Sequence, residues 1–241
     1  MSILEVRSVD AGYGAVQILR QASLALEEGQ LTALVGSNGA GKTTLLRTVM
    51  GLIRPWQGSV WFEGREISHL PAYTRAGMGL ALAPEGRQLF TDMSVAENLE
   101  MGATPRRARK DRARNLERVY HIFPRLSERR EQKAGTLSGG EQQMLAVARG
   151  LMAEPLILMI DELSLGLSPA MSMQLLEALL ALKKNGMTTL LVEQNVQMAL
   201  AISDYGYVLS QGRTDLEGPS RDLAQNEKVR VAYLGMGSRP A

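Results

Sequence analysis

The chain of 241 residues carries 27 basic and 25 acidic side chains, and a net charge of +2 argues neither for nor against nucleic acid. It has no cysteine, which excludes disulfides and thiolate metal sites and suits a reducing compartment; His69 and His121 are too few for a histidine metal cluster. Glu5 and Arg7 interrupt the N-terminal apolar residues, so no signal-peptide core is expected. No apolar run approaches the roughly 20 residues that span a bilayer, so membrane contact is expected only through partners.

In chain order, short strands are predicted around Leu4 to Val9 and Ala25 to Leu26, flanking Gly12-Tyr13-Gly14. An apolar strand at 31–35 runs straight into Gly36-Ser37-Asn38-Gly39-Ala40-Gly41-Lys42-Thr43, which has the spacing of a phosphate-binding loop between strand and helix. The glycines at 36, 39 and 41 are expected to take positive φ, so that successive N–H groups point at phosphate oxygens. The N-terminus of the helix starting at Lys42 favours an anion. Lys42 is expected to reach the β- and γ-phosphates and the Thr43 hydroxyl to ligate Mg²⁺. The alternative is a glycine-rich turn that binds nothing.

A strand is predicted at 79–83, and from Thr91 to about Ala153 the pattern turns helical. Capping-box spacing marks helix starts at Ser94/Glu97 and Ser138/Glu141. Within this stretch Arg106 to Arg114 is the strongest charge cluster. It reads first as a solvated helix face, less well as a contact for anionic lipid, and least as a nucleic-acid site, since no aromatics are interleaved. The unbroken apolar run Leu156 to Ile160 predicts a parallel strand buried on both faces, with Asp161 and Glu162 at the end where open α/β sheets place ligands. Alternation along the strand divides the pair: Asp161 for Mg²⁺, Glu162 to polarise a water at the γ-phosphate. Read alone, the doublet could equally be a solvated strand end. Ser168-Pro169 opens a helix with Leu175, Leu176, Leu179 and Leu182 on one face; a strand follows at 188–192, then a hairpin joined at Gln211-Gly212 and a helical tail after Pro219.

The run Leu137-Ser138-Gly139-Gly140-Glu141 names the family. A cap explains Ser138 and Glu141, whereas close approach of backbone to phosphate would explain Gly139-Gly140. With the phosphate loop and Asp161-Glu162, it resembles the signature of the ATP-binding subunits of ABC (ATP-binding cassette) transporters. The resemblance implies an α/β P-loop NTPase (RecA-like) cassette with an N-terminal antiparallel β region and an inserted helical subdomain. The core would take about 1–90 and 154–217, the helical subdomain about 91–153 and a tail 218–241. It implies ATP and Mg²⁺ as ligands, with Gly36 to Thr44, Thr44 included, around the phosphates. Ser138, Gly139, Gly140 and Glu141 would contact the nucleotide held by an opposing cassette. Tyr13 stands where the family stacks an aromatic on adenine; the other reading is a turn tyrosine packed on the sheet edge.

The chain departs from the common family pattern at several places. Glu85 stands where most members have glutamine, within reach of both roles expected there, metal ligation beside Thr43 and Asp161 and catalysis beside Glu162. Gln194 replaces the histidine that contacts the γ-phosphate, Leu163 replaces a proline, and Leu167 replaces an aspartate. Glutamine can position a γ-phosphate but carries no charge. The segments Pro84-Glu85-Gly86-Arg87, Ser164 to Pro169, Val192-Glu193-Gln194-Asn195 and Val229 to Gly235 resemble the LivF-type subunits of branched-chain amino-acid importers. That resemblance implies a second, non-identical ATP-binding subunit, two transmembrane permease subunits, a solute-binding protein, no nucleic acid, and attachment at the cytoplasmic face of the membrane. An importer of urea, an amide or another small solute is the alternative, then a non-transport ABC ATPase.

Overall fold

The structure is a computed structural model and describes residues 2–233. Leu234 and Gly235 of the tail, and the rest of 218–241 after Tyr233, lie outside the described residues. The chain opens with an antiparallel hairpin, β1 (Ser2–Tyr13) and β2 (Val16–Glu27), followed by β3 (Leu31–Val35) and α1 (Lys42–Val49). β4 (Gln57–Phe62) pairs with β1, and β5 (Arg65–Glu66) with β4, giving a four-stranded antiparallel sheet ordered β2-β1-β4-β5. α2 (Ala72–Met78) leads into β6 (Leu80–Ala83). Five helices follow: α3 (Val95–Gly102), α4 (Arg106–Arg109), α5 (Arg112–Ile122), α6 (Pro124–Glu128) and α7 (Gly139–Leu151). Then come β7 (Ile157–Asp161), α8 (Pro169–Lys184), β8 (Thr188–Glu193), α9 (Val196–Ile202), β9 (Tyr205–Ser210) and β10 (Arg213–Pro219), with α10 (Ser220–Gln225) and α11 (Glu227–Tyr233) last. The second sheet has six strands ordered β10-β9-β3-β8-β7-β6, all parallel except β10.

The parallel strands are short because both faces must be covered. Leu31, Ala33 and Val35 of β3, Leu158 and Ile160 of β7, and Leu191 of β8 join one core with α3, α7, α8 and α9. Their neighbours Leu34, Ile157, Met159, Leu190 and Val192 join a second core with α1 and the antiparallel sheet. The alternation of side chains along each strand assigns them to these two cores. Charged side chains therefore fall at the strand ends, where Asp161 closes β7 and Glu193 closes β8.

The first two strands are much longer than the sequence suggests. Ser8 and Gln21 take positive φ (47° and 52°) and the pairing shifts register beside them, so bulges break the period-two pattern that marks a strand. Gly12 and Tyr13 lie within β1, and the turn is made by Gly14 and Ala15. β4, β5 and α2 have no counterpart in the sequence reading, and the helical stretch is divided into separate short helices at Phe123-Pro124 and around Ala134–Thr136. Both capping boxes form as read, and Ser168 caps α8.

Arg75 of α2 is 0% exposed and has no carboxylate partner among the described residues. Burial pushes its guanidinium pKa down to about 10. It donates to four carbonyls: Thr48 at 2.9 Å and Val49 at 2.7 Å, which end α1, and Ser68 and Leu70 at 2.9 Å each. A cation against the last carbonyls of a helix is favoured by the dipole, and here it ties α1 to the segment before α2. Arg75→Met keeps the apolar stem but leaves buried acceptors without donors. It should destabilise the chain by at least about 2 kcal/mol, read as a lower midpoint in urea unfolding. An unchanged midpoint would mean that water replaces the guanidinium.

Candidate functional site

The phosphate loop is built by β3, α1 and the β9–β10 turn. Gly39 and Gly41 take positive φ (79° and 107°), as expected. Gly36 does not, and its requirement is steric: a Cβ there would lie 2.3 Å from the Leu209 carbonyl oxygen of β9. The Gln211-Gly212 turn braces the loop from behind, Gly212 N–H donating to the Ala40 carbonyl at 2.9 Å. The Lys42 ammonium is almost fully buried, donating to the carbonyls of Gly36 (3.0 Å) and Ser37 (3.3 Å) and lying 3.2 Å from Glu162 Oε1. Asn38, Gly39, Gly41, Lys42, Thr43, Thr44, Glu85, Glu162 and Gln194 line one cleft of about 350 Å³, with Ile18 and Leu165 as its apolar walls. Ile18 belongs to no motif, and Leu165 falls within the Ser164 to Pro169 segment without having been marked as a wall of the site.

Asp161, 2% exposed and on the α1 side of β7, lines a larger groove beside this cleft, with Thr43 and Glu85 shared between the two. Burial raises its carboxyl pKa to about 6; a hydrogen bond with Thr43 and the charge of Lys42 oppose the rise, and Glu162 and Glu85 add to it. Its Oδ1 is buried with no hydrogen-bond partner. An open carboxylate oxygen beside a threonine hydroxyl suits a hard dication that is otherwise held by phosphate and water, and no cluster of three or more acidic or histidine ligands exists among the described residues. Glu162 is not placed by strand alternation. It lies past the end of β7 with φ of 53°, its N–H donating to the Val192 carbonyl at 2.9 Å, and this left-handed turn swings its carboxylate to Lys42.

Gln194 is exposed on the cleft wall, and its N–H donates to Glu193. Glu193 is 1% exposed and also accepts from Ser164 N–H at 2.8 Å. Burial pushes its pKa up, with the Ser164 hydrogen bonds opposing. The sequence reading passed over Glu193, although a carboxylate ending an apolar strand is the same signal that picked out Asp161. His69 and His121 are exposed and line no part of the cleft.

Ser138 to Glu141 lie away from the phosphate cleft of their own chain. Ser138 Oγ donates to Glu141 Oε2 at 2.8 Å, and Glu141 lies 2.7 Å from Arg129. Burial alone would raise the Glu141 carboxyl, but hydrogen bonds from Ser138 and the nearby Arg129 and Arg125 hold it below its ordinary value. Gly140 is also closely packed within the chain: a Cβ would fall 2.3 Å from Met171 Cε and 2.8 Å from its Cγ, so the methionine of α8 would have to shift. Gly139 packs beside the Arg87 guanidinium, which donates to Gln142 at 2.9 Å and so ties the Glu85 loop to α7. Tyr13 is 44% exposed, does not line the phosphate cleft, and its hydroxyl accepts from Arg47 at 3.1 Å. It edges a groove of about 1120 Å³, whose rim includes the exposed Leu52, Tyr73, Phe90 and Met101.

A parallel sheet with a glycine-rich loop, a buried lysine and acidic strand ends defines a P-loop nucleotide-binding protein. The ABC transporter family model matches residues 19–164, and the chain belongs to that family, as an ATP-hydrolysing cassette. A high-affinity branched-chain amino acid transport ATP-binding protein of Pseudomonas aeruginosa, BraG, is 43% identical, covering 97% of this chain and 100% of its own. A probable branched-chain amino acid transport ATP-binding protein of Archaeoglobus fulgidus, LivF, is 38% identical, covering 97% and 99%. A crystal structure of the ADP conformation of an ABC transporter cassette is 25% identical, with a TM-score of 0.84 over 98% of this chain and 99% of that one.

The buried Asp161 charge opposes folding, because its folded pKa of about 6 lies above its ordinary value. That opposition is fully present above pH 6 and is relieved as pH falls below it, when the folded state takes up the proton. Asp161→Asn should therefore melt higher than the wild type at pH 8, with the difference shrinking towards pH 5, in buffer without nucleotide or Mg²⁺. Equal melting temperatures at pH 8 would contradict the assigned burial of charge.

Proposed function

We propose that this chain hydrolyses ATP at the cytoplasmic face of a membrane to drive import of branched-chain amino acids. The observation that carries the ATPase chemistry is the convergence of Lys42, Glu162 and Gln194 on one cleft. In this reading Gly36 to Thr44 enfold the phosphates, and Lys42 meets the β- and γ-phosphates. Thr43 and Asp161, with Glu85 beside them, would hold Mg²⁺, which would screen phosphate charge. Tyr13 offers its ring to adenine. Incoming phosphate draws Lys42 away from Glu162, and the freed carboxylate takes a proton from water as the water oxygen bonds to the γ-phosphorus. The bond to the bridging oxygen breaks, giving ADP and phosphate. Gln194 holds the γ-phosphate without adding charge.

The cargo reading is supported by the transport role in the names of the two relatives, both alike along nearly the whole chain. The proposed partners are a second, non-identical cassette, two transmembrane permease subunits and, indirectly, a solute-binding protein. No helix among the described residues is long and apolar enough to cross a membrane, and the groove rimmed by Leu52, Tyr73, Phe90 and Met101 suits a helical segment of a permease. Ser138 is exposed at the start of α7 and, with Gly139, Gly140 and Glu141 behind it, is the proposed contact for the nucleotide of the opposing cassette. The core is proposed as about 1–90 and 154–217, with 91–153 as the helical subdomain.

Glu162→Gln should lower turnover by about 10²-fold or more while ATP affinity persists, since phosphate affinity resides in the loop and Lys42. Near-normal hydrolysis in the assembled transporter would remove Glu162 as base. Ser138→Arg should leave ATP binding intact and abolish hydrolysis and labelled leucine uptake. A merely capping Ser138 predicts instead a stability loss of about 1 kcal/mol with hydrolysis spared.

A further inference from the structure

Glu193 has a carboxylate where an apolar strand end would cost less. It is 1% exposed, and no cation pairs with it among the described residues. Its two oxygens point at different loops. Oε1 accepts from Ser164 N–H at 2.8 Å, two residues beyond Glu162; Oε2 accepts from the N–H of Gln194 at 3.2 Å. The preceding residue, Val192, accepts from the N–H of Glu162 itself at 2.9 Å. The last two residues of β8 thus hold both the Glu162 turn and the Gln194 loop.

That turn needs holding. Glu162 has a left-handed backbone, φ 53°, which is disfavoured outside glycine. Leu163 follows, without the φ restraint that proline would supply. Leu163 is buried in the core beside α8, so the segment is pinned by one apolar anchor at Leu163 and one polar anchor at Ser164. Only a carboxylate can accept from both amides. A glutamine of the same shape accepts with its oxygen but turns an NH₂ towards the other donor.

We propose that Glu193 is a positioning residue for hydrolysis, clamping the Glu162 turn and the Gln194 loop in one fixed relation by accepting both backbone amides. Glu193 touches no substrate and acts through Glu162 and Gln194. The inference rests on Glu162 being the base.

The test uses the full chain in its assembled transporter, with Mg²⁺ and ATP as the probe. Glu193→Gln should lower kcat by about 10-fold or more with little change in KM, because a shifted base weakens the transition state but not nucleotide binding. Hydrogen exchange at the Ser164 and Gln194 amides should speed up in the same variant, with the melting temperature held. Glu193→Asp, shorter but with two acceptor oxygens, should keep more of kcat than the isosteric glutamine. Wild-type kcat in Glu193→Gln overturns the proposal, as does unchanged exchange at both amides. It is also overturned if kcat, ATP affinity and melting temperature fall together, or if glutamine outperforms aspartate. Glu162→Gln run alongside separates the two readings. If that variant is inert and Glu193→Gln is fully active, only the clamp is lost; if it hydrolyses ATP normally, the base assignment itself is lost.

Discussion

Coverage of the parallel sheet on both faces is the constraint from which the site follows. With α1 and the antiparallel sheet on one side and α3, α7, α8 and α9 on the other, the interiors of the parallel strands β3, β7 and β8 hold no charge. Carboxylates are admitted only where the strands end, and β7 and β8 end side by side, with Asp161 paired to Val192. The phosphate loop leaves β3 at the same edge, Val35 pairing with Glu193. The chemistry gathers there because everywhere else on the sheet excludes it.

At that edge the two buried carboxylates diverge in what surrounds them. Burial raises both, but Glu193 has both oxygens met by backbone N–H groups, while Asp161 keeps one oxygen without a partner. A carboxylate that is fully hydrogen-bonded is committed to structure; one with an open oxygen is available to a cation. Lys42 is the ammonium that faces this group of acids, and it sits on Glu162 rather than on Asp161. The surroundings thus separate an acid with one open oxygen, an acid paired to lysine, and an acid met by two backbone amides.

Much of this was legible in the sequence because it depends on local pattern. The phosphate loop, the apolar runs of β3, β7 and β8 and both capping boxes are contiguous, and their spacing carries the geometry. The long N-terminal strands were hidden by bulges at Ser8 and Gln21, which reset alternation every few residues. β4 and α2 were missed because they hold their places through tertiary contacts such as the Arg75 hydrogen bonds, which no short window shows. Gly36 was recognised for the wrong reason, because a clash with Leu209 arises from a strand more than 170 residues away in sequence.

Gly140 carries the same lesson into function. Two glycines after a capping serine suggested backbone approach to phosphate, and Met171 of α8 also packs closely on Gly140 within one chain. The packing has its own consequence for the opposing-site reading. Met171 lies in the first turn of α8, whose cap Ser168 follows the segment from Glu162 to Leu167, so close seating of Gly140 on Met171 joins the start of α7 to the end of the Glu162 turn. Arg87 makes the matching connection from the Glu85 loop through Gln142. The start of α7 is therefore packed against the first turn of α8 through Gly140 and Met171, and tied to the Glu85 loop through Gln142 and Arg87.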